Sequence, residues 1–277
     1  MRVALAQTDC VLGDVAANLA QAERCVKDAA ARDADLVVFP ELSLNGYALG
    51  TLSHDSSLRA DDDRIAALSG HGPDVVVGFH EDAPLRRYNA APYLEATGTR
   101  HLHRKLYLPN YLAWEERKYA SPGQSMRAYD TRHGRIATLI CNDAWQSVLP
   151  WIAAQDGAEM ILIPSTSALG VAPGSLDTIS YWDDLLRFIA RMQQCWVVFV
   201  NRVGDEAGAR FWGGSRVIDP LGGVVAQAPR WDPALVVTDV DLRVARHRRR
   251  EVPLLAEFRL GLVAREIDRL IHEGGDL

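Results

Sequence analysis

One apolar run in the chain stops at a cysteine and becomes polar within one residue: Ile136-Ala137-Thr138-Leu139-Ile140-Cys141-Asn142-Asp143. A short apolar run rich in β-branched residues predicts a buried strand. The polar residues after Cys141 indicate a turn from strand to helix, which would expose the sulfur rather than bury it in the core. The stretch therefore predicts a strand-to-helix elbow of the kind found in α/β sheets.

Similar apolar runs recur on both sides of this elbow and predict further buried strands. Their bounds are Val3 to Thr8, Leu36 to Phe39, Val75 to Phe79, Met160 to Pro164, Trp196 to Val200 and Leu235 to Val240. Patterns with helical spacing lie between several of them. These predict helices over Asp14 to Arg32, with Asp14 as cap, from Cys141 through Ala144 to Asp156, and over Leu176 to Gln194.

Glycine-rich turns punctuate the last third of the chain. Gly213-Gly214-Ser215 and the segment Asp219 to Gly223 separate strand-like segments and predict antiparallel hairpins within the same sheet system. The sequence contains no obvious linker or internal repeat. We therefore predict a single α/β domain over residues 1–277.

The amino-acid composition and the distribution of charge limit the kinds of molecule that the protein is expected to bind. The chain has 277 residues, 48% hydrophobic and 24% charged, with a formal net charge of -6. Binding to nucleic acid needs clustered cations, and the one basic run, Arg246 to Arg250, is typical of a solvated helix face. No apolar stretch has membrane-spanning length, and Met1 to Gln7 leads directly into a strand without a signal-peptide core. These features predict a cytoplasmic protein with a small-molecule partner.

The four cysteines have no paired spacing. Cys10, Cys25, Cys141 and Cys195 lie far apart, so the sequence suggests neither a zinc site nor a disulfide framework. We expect reduced thiols, with Cys10, Cys25 and Cys195 in structural positions.

Three reactive side chains each follow a strand-like run. Glu41 ends the run Leu36 to Glu41, Lys105 follows the region Tyr88 to His103, and Cys141 ends its own run. Taken singly, these are a solvated carboxylate, a surface cation and a buried thiol. Because α/β sheets place their ligand sites at strand ends, the three side chains could share one site.

The sequence resembles the nitrilase (carbon-nitrogen hydrolase) superfamily over nearly its whole length. The residues that carry the resemblance occur in the family's order: Asp35 to Glu41 with Gly46-Tyr47, His103 to Pro109, Leu139 to Asp143, Asn201 to Gly204, Gly213 to Ser215, and Ile218 to Pro220. The resemblance implies an αββα sandwich, a catalytic triad of Glu41, Lys105 and Cys141, and a supporting Glu116, with Glu115 as the adjacent alternative. It also implies a homodimer or larger assembly and a reaction without metal or organic cofactor.

The family reaction implies a substrate class. We expect hydrolysis of a small amide to a carboxylate and ammonia through a thioester on Cys141, with the backbone N–H of Asn142 stabilising the oxyanion. Tyr47, Trp145 and the Ser165-Thr166-Ser167 strand end are the further candidate substrate contacts. The segment Lys105 to Tyr111, with Ser121-Pro122-Gly123, is most similar to the glutaminase domain of glutamine-dependent NAD synthetases.

Substrate identity stays open at this point. No glycine-rich nucleotide loop follows before Leu277, which favours a free-standing amidase, and Asn142 and the stretch Arg191 to Gln194 depart from common family patterns. An N-carbamoyl amide hydrolase, a nitrilase, a glutaminase subunit that supplies ammonia to a separate synthetase, and a non-catalytic scaffold are the alternatives.

Overall fold

The computed structural model describes residues 1–111, 114–169 and 177–274. The strands are β1 (Arg2–Gln7), β2 (Leu36–Val38), β3 (Asp74–Val76), β4 (Phe79–Asp82), β5 (Arg87–Glu95), β6 (Gly98–Arg104), β7 (Ala128–Thr131), β8 (Gly134–Thr138), β9 (Met160–Ser165), β10 (Ala168–Leu169), β11 (Trp196–Asn201), β12 (Val203–Glu206), β13 (Ala209–Trp212), β14 (Arg216–Ile218), β15 (Val224–Gln227) and β16 (Ala234–Asp239). The α-helices are α1 (Val15–Ala30), α2 (Asp63–Ala66), α3 (Asn142–Trp145), α4 (Val148–Gln155), α5 (Thr178–Met192), α6 (Arg243–Glu251) and α7 (Leu260–His272).

Two large mixed sheets form the centre of the molecule. The first has the order β16-β1-β2-β3-β5-β4, with β6 also paired to β5, and the second has the order β15-β14-β11-β9-β8-β7. The parallel pairs β1–β2 and β8–β9 are each connected through helices, as the alternation of apolar runs predicted.

The core consists of three apolar layers. Side chains from the facing surfaces of both sheets, such as Leu5, Val38, Ile136 and Leu162, pack together between the sheets. The outer face of the first sheet is covered by α1 and α2, and that of the second by α4 and α5. This arrangement of helix, sheet, sheet and helix confirms the predicted αββα sandwich.

Helix α1 follows the sequence pattern closely. The Asp14 side chain accepts a hydrogen bond from the Ala17 N–H at 3.0 Å, as a helix cap does. Ala22, Val26 and Ala29 lie on the buried face against the first sheet. The prediction for this helix and its cap is confirmed.

The predicted strand Val75 to Phe79 is wrong as a continuous element. It divides into β3 and β4, which are not neighbours but lie on either side of β5. A Cβ at Gly78 would lie 2.3 Å from the backbone nitrogen of Leu42, so only glycine allows the chain to pass this close to the turn that follows β2.

The predicted helix from Cys141 to Asp156 is also wrong in its continuity. It is two helices, α3 and α4, separated by the extended residue Gln146. Pro150 explains the break. In a single helix the residue at position 150 would donate its N–H to the Gln146 carbonyl, but proline has no N–H and its ring would clash with that carbonyl. In the shorter α4, Pro150 lies in the first turn, where no donor is required.

The later elements agree in type with the sequence pattern. Helix α5 begins after Asp177, whose side chain accepts from the N–H groups of Ile179 and Ser180; Leu176, the predicted start, lies outside the described residues. The turn from Asp219 to Gly223 joins the antiparallel strands β14 and β15. However, β10, β12 and β13 form a separate three-stranded sheet, so the hairpins do not all belong to one sheet system.

The C-terminal helix α7 has no buried residue. Within the described ranges, no helix combines the length and apolar character that crossing a bilayer requires. The assignment of residues 1–277 to a single domain stays a prediction.

Candidate active site

Glu41 lies in the tight turn that follows β2. Asn45 fixes this turn, because its side chain donates to the Ser56 carbonyl and accepts from the His80 N–H at 2.8 Å. The Leu44 N–H donates to the Gly78 carbonyl at 3.1 Å, which ties the turn to the chain between β3 and β4. As a result, the Glu41 carboxylate is fully buried. It points toward the second sheet, where it contacts Thr166 directly after β9.

Lys105 directly follows β6 and is also fully buried. Its ammonium Nζ donates to Glu41 Oε1 at 2.6 Å and to Glu116 Oε2 at 2.7 Å. The Lys105 N–H donates to the Asn89 carbonyl, and the Lys105 carbonyl accepts from the Gly123 N–H, both at 2.8 Å. The structure therefore brings together Glu41 and Lys105, which the sequence placed at separate strand ends, and Glu116, which the resemblance implied.

Of the two adjacent glutamates, the buried one is Glu116. It begins a short 3₁₀ helix and lies 5% exposed beside Lys105, whereas Glu115 is exposed and pairs with Lys118 at 2.7 Å. Tyr47 Oη donates to Glu116 at 3.1 Å. Because Glu115 is exposed and faces away from Lys105, Glu116 is the glutamate that supports the lysine.

Two further residues hold the carboxylates and were not predicted in this role. Asn89 Nδ2 donates to both Glu41 Oε1 and Glu116 Oε1 at 2.7 Å, and the Thr166 N–H donates to Glu41 Oε2 at 3.0 Å, joined by the Thr166 hydroxyl. A lone Asn within the apolar strand β5 is the signal that could have identified the first. Thr166 belongs to the strand end that the sequence had placed near the pocket.

Cys141 occupies the predicted elbow, between β8 and α3. Its φ of 47° lies in the left-handed region, which a residue with a side chain rarely adopts, and its N–H donates to the Pro164 carbonyl at 2.9 Å. The residue as a whole is partly exposed. Burial of the thiol group, reinforced by the charge of Glu41, raises the pKa of Cys141 above its ordinary value.

A small cavity of about 50 Å³ connects Cys141 and Lys105. Three of the four predicted substrate contacts, Tyr47, Asn142 and Trp145, line it. Ser165 does not: it is fully buried within β9, and the cavity wall is formed instead by the next two residues, Thr166 and Ser167.

This arrangement coincides with a family match over most of the chain. Residues 2–250 match the model of the carbon-nitrogen hydrolase family. The chain belongs to that family. The predicted resemblance is confirmed, and so is the expectation of an enzyme that hydrolyses carbon-nitrogen bonds.

This carbon-nitrogen hydrolase is similar both to glutamine-dependent NAD(+) synthetases and to N-carbamoylputrescine amidases. The chain is 32% identical over 247 residues to a glutamine-dependent NAD(+) synthetase of Thermotoga maritima, covering 87% of this chain but only 42% of the synthetase. The chain thus spans less than half the length of that relative. It is 27% identical over 256 residues to an N-carbamoylputrescine amidase of Arabidopsis thaliana, with 85% of each chain covered.

The fold of this carbon-nitrogen hydrolase has a close structural counterpart. An amidase from Nesterenkonia sp. AN1 superposes with a TM-score of 0.81 at 23% identity, covering 96% of this chain and 99% of that one. At this identity the similarity is one of fold.

In this carbon-nitrogen hydrolase, Asp143 connects the elbow to the segment that carries the lysine. Its Oδ1 accepts from the backbone N–H groups of Leu106 and Tyr107, both at 2.9 Å. Its Oδ2 accepts from the Ile140 N–H at 3.1 Å and lies 2.9 Å from His103 Nε2. Asp143 is fully buried, so these contacts fix the relative position of the cysteine and lysine segments.

The electrostatics of the cluster keep the lysine charged. Burial alone would lower the pKa of Lys105, but the charges of Glu116 and Glu41 more than offset this and raise it above its ordinary value. Burial raises the pKa of Glu116, and the facing ammonium of Lys105 opposes that effect. An ammonium in a cavity that it shares with a thiol can stabilise negative charge that develops there.

Proposed function

We propose that the chain hydrolyses the carbon-nitrogen bond of a small amide to a carboxylate and ammonia, through a thioester on Cys141. The observation that carries this proposal is the buried Lys105 ammonium, which is held by Glu41 and Glu116 and lines the same cavity as the cysteine sulfur. Acid, amine and thiol are the groups that such a reaction requires. A cytoplasmic location is part of the proposal.

In the first step, Glu41 takes the proton of the Cys141 thiol while the sulfur attacks the amide carbon. General-base assistance of this type contributes ~10²–10⁴-fold to the rate. The thiolate is the nucleophilic form of cysteine, and the raised pKa of Cys141 is consistent with a base that removes its proton. A carbon-sulfur bond forms, and the carbonyl electron pair moves to oxygen.

The tetrahedral oxyanion is stabilised by the Lys105 ammonium and the backbone N–H of Asn142. Asn142 is the first residue of α3, where an N–H has no acceptor within the helix. Loss of one such donor typically lowers turnover by ~10²–10³-fold. Glu41 then gives its proton to the departing nitrogen as the carbon-nitrogen bond breaks, and ammonia leaves.

In the second half, Glu41 takes a proton from water while the water oxygen attacks the thioester. The carbon-sulfur bond breaks, the proton returns to the sulfur, and the carboxylate is released. Thr166 and Ser167, rather than Ser165, are the strand-end residues proposed to contact the substrate, because they line the cavity. Glu41 and Cys141 regain their starting protonation states, the proton of the acid product passes to ammonia, and water is the only co-reactant consumed.

A glutaminase that supplies ammonia to a separate synthetase is the second candidate. It is favoured by the 32% identity to a glutamine-dependent NAD(+) synthetase. Activity that rises only when a synthetase is added, together with co-purification of the two, would support it. Hydrolysis of N-carbamoyl amines or nitriles by the same residues is a variant of the main proposal. Ammonia release measured side by side from simple amides, glutamine-like amides, N-carbamoyl amines and nitriles separates these variants.

The proposal is tested by replacing the nucleophile. Cys141→Ala is expected to abolish ammonia release from amides while the far-ultraviolet circular dichroism and melting temperature stay close to wild type. Cys25→Ala is the matched control, because Cys25 is also partly exposed but lies on α1, away from the cavity. Retention of near-normal amide hydrolysis by Cys141→Ala would refute the mechanism.

A further inference from the structure

A buried histidine, His103, lies near the end of β6, two residues before Lys105. It is 1% exposed, whereas its strand neighbours Leu102 and Arg104 are partly exposed. A buried polar ring needs a hydrogen-bond partner, because leaving its nitrogens without one costs the energy of removing them from water. The reaction steps proposed above do not use this ring, so its position in the core calls for a separate explanation.

The partner of the ring is the carboxylate of Asp143. His103 Nε2 lies 2.9 Å from Asp143 Oδ2, and both side chains are almost fully buried. Because both Asp143 oxygens already accept from backbone N–H groups, Nε2 is the donor in this contact. The other ring nitrogen, Nδ1, has no hydrogen-bond partner among the described residues. Within that part of the chain, the ring is therefore held by its contact with Asp143.

Asp143 is bonded to the chain on both sides of Lys105. Before the lysine, its Oδ2 accepts from His103, and after the lysine its Oδ1 accepts from the backbone N–H groups of the next two residues, both at 2.9 Å. Its Oδ2 also accepts at 3.1 Å from the N–H of the residue that precedes Cys141. One carboxylate thus connects the segment of the lysine with the elbow of the cysteine.

His103 is the donor that ties this carboxylate to a strand. The other groups that donate to Asp143 are backbone N–H groups that lie outside the strands. His103 belongs to β6 and is paired with Ala91 of β5. The same strand β5 carries Asn89, which donates to both buried glutamates of the cluster. The histidine therefore fixes the cysteine elbow relative to the two strands that hold the acids and the amine.

We propose that His103 is a positioning residue for the amide hydrolysis. Through Asp143 it holds the Cys141 sulfur in its place relative to the Lys105 ammonium. The inference rests on the proposed amidase function and adds to it a residue outside the group proposed to touch the substrate. Misplacement of a reacting group by about 1 Å can lower a rate ~10²-fold, so a hydrogen bond behind the site affects turnover. Because His103 does not line the cavity, we expect a change in kcat rather than in KM.

Two variants of the histidine separate the hydrogen bond from the bulk of the ring. His103→Leu removes the donor, whereas His103→Gln keeps an N–H donor at a comparable distance from the backbone. We expect His103→Leu to lower kcat for amide hydrolysis at least tenfold with KM within threefold of wild type. His103→Gln should recover most of this loss. A wild-type kcat in the leucine variant, or an equal loss in both variants, would overturn the inference.

His101 supplies the matched control on the same strand. It is partly buried and stacks on Tyr129 with ring centroids 4.3 Å apart, and its Nε2 has no hydrogen-bond partner among the residues that the structure describes. His101→Leu is therefore expected to lower the melting temperature while kcat stays within threefold of wild type. A tenfold loss of kcat in this variant as well would assign the effect of His103→Leu to a general loosening of β6 and overturn the positioning role.

Hydrogen–deuterium exchange tests the positioning without turnover. The backbone N–H groups of Ile140, Leu106 and Tyr107 donate to Asp143, so their exchange reports how firmly its carboxylate is held. We expect His103→Leu to speed exchange at least fivefold in peptides covering residues 103–111 and 139–145, and His103→Gln to restore it.

The exchange result also separates this inference from the amidase proposal. Unchanged exchange in both peptides of His103→Leu would overturn the positioning role even in an enzyme that hydrolyses amides. Faster exchange confined to these two peptides, in a protein that hydrolyses no amide, would support the contact between His103 and Asp143 and refute the proposed function alone.

Discussion

Lys105 is a charged amine with no contact with solvent. Removing an ammonium from water is costly, and its retention here depends on the two carboxylates at 2.6 and 2.7 Å and on the hydrogen bonds that hold them. Asn89, which lies in β5, donates to both carboxylates through its one side-chain nitrogen. The position is therefore built for a compact cation whose location is fixed before a substrate arrives.

The first prediction concerns the shape of this cation. Lys105→Arg should lower kcat for amide hydrolysis by at least ~10²-fold, because a planar guanidinium cannot place its charge where the ammonium lies. Steady-state ammonia release and thermal melting measure the two effects. Lys118→Arg is the control, since Lys118 is exposed. A Lys105→Arg enzyme within threefold of the wild-type kcat would contradict this role.

At the scale of residues, the sequence identified the groups but not all their partners. Sequence reasoning could identify Glu41, Lys105 and Cys141 because each follows a strand-like run, and the family resemblance added Glu116. Asn89 lacked a local motif, since the two glutamates that it contacts, Glu41 and Glu116, lie 48 and 27 residues away in the sequence. Ser165 shows the limit of strand-end arguments, because it is the last residue of β9 and is fully buried, whereas Thr166 and Ser167, just beyond the strand, line the cavity.

At the scale of elements, Glu206 in β12, paired with Arg202 just before that strand, supports the loop that carries Tyr47. Glu206 Oε1 accepts from the N–H groups of Tyr47 and Ala48 at 2.8 and 2.6 Å, and its Oε2 accepts from Arg202 at 2.7 Å. A Cβ at Gly46 would lie 2.8 Å from this carboxylate, so the close approach requires glycine. Glu206 is in this sense a positioning residue for the cavity wall.

We expect Glu206→Gln to raise KM roughly tenfold, which corresponds to about 1.4 kcal/mol, while kcat stays within about threefold. The amide nitrogen would face the Arg202 guanidinium, and the loop carrying Tyr47 would lose its fixed position. Asp205→Asn is the matched control at an exposed neighbour. A fall in melting temperature with no change in KM would assign Glu206 to stability alone.

Element types were predictable from apolar periodicity, and their interruptions were not. The runs of β1, β8, β9 and β11 agree with the observed strands to within about two residues. The breaks at Gly78 and before Pro150 depend on tertiary contacts or on helix register. Gly78 in particular is required by the backbone of a turn some 35 residues away in sequence, which a local pattern cannot reveal.

At the scale of the whole molecule, α5 exposes an apolar stripe. Tyr181, Phe188 and Met192 are 54%, 52% and 45% exposed and are spaced seven and four residues apart, which places them on one helix face. Contiguous apolar patches on a surface usually mark an interface. Since the resemblance implied a homodimer, we predict that a second copy of the chain covers this stripe.

Sedimentation velocity measures this assembly. The wild-type chain is expected to sediment as a dimer, and Phe188→Asp should shift it toward the monomer, because the interface would have to bury an unpaired carboxylate. Leu85→Asp is the control, since Leu85 is 94% exposed in the turn between β4 and β5. A monomeric wild-type chain, or a Phe188→Asp variant of unchanged mass, would contradict the prediction.

The covalent thioester is the central claim of the account, and the intact mass of the acid-quenched enzyme during turnover tests it most directly. With propanamide as substrate, the predicted result is a mass increase equal to one propanoyl group, localised to the peptide that contains Cys141 and absent from Cys141→Ala. Turnover without any such adduct, or an adduct that persists in Cys141→Ala, would contradict the assignment of Cys141 as nucleophile.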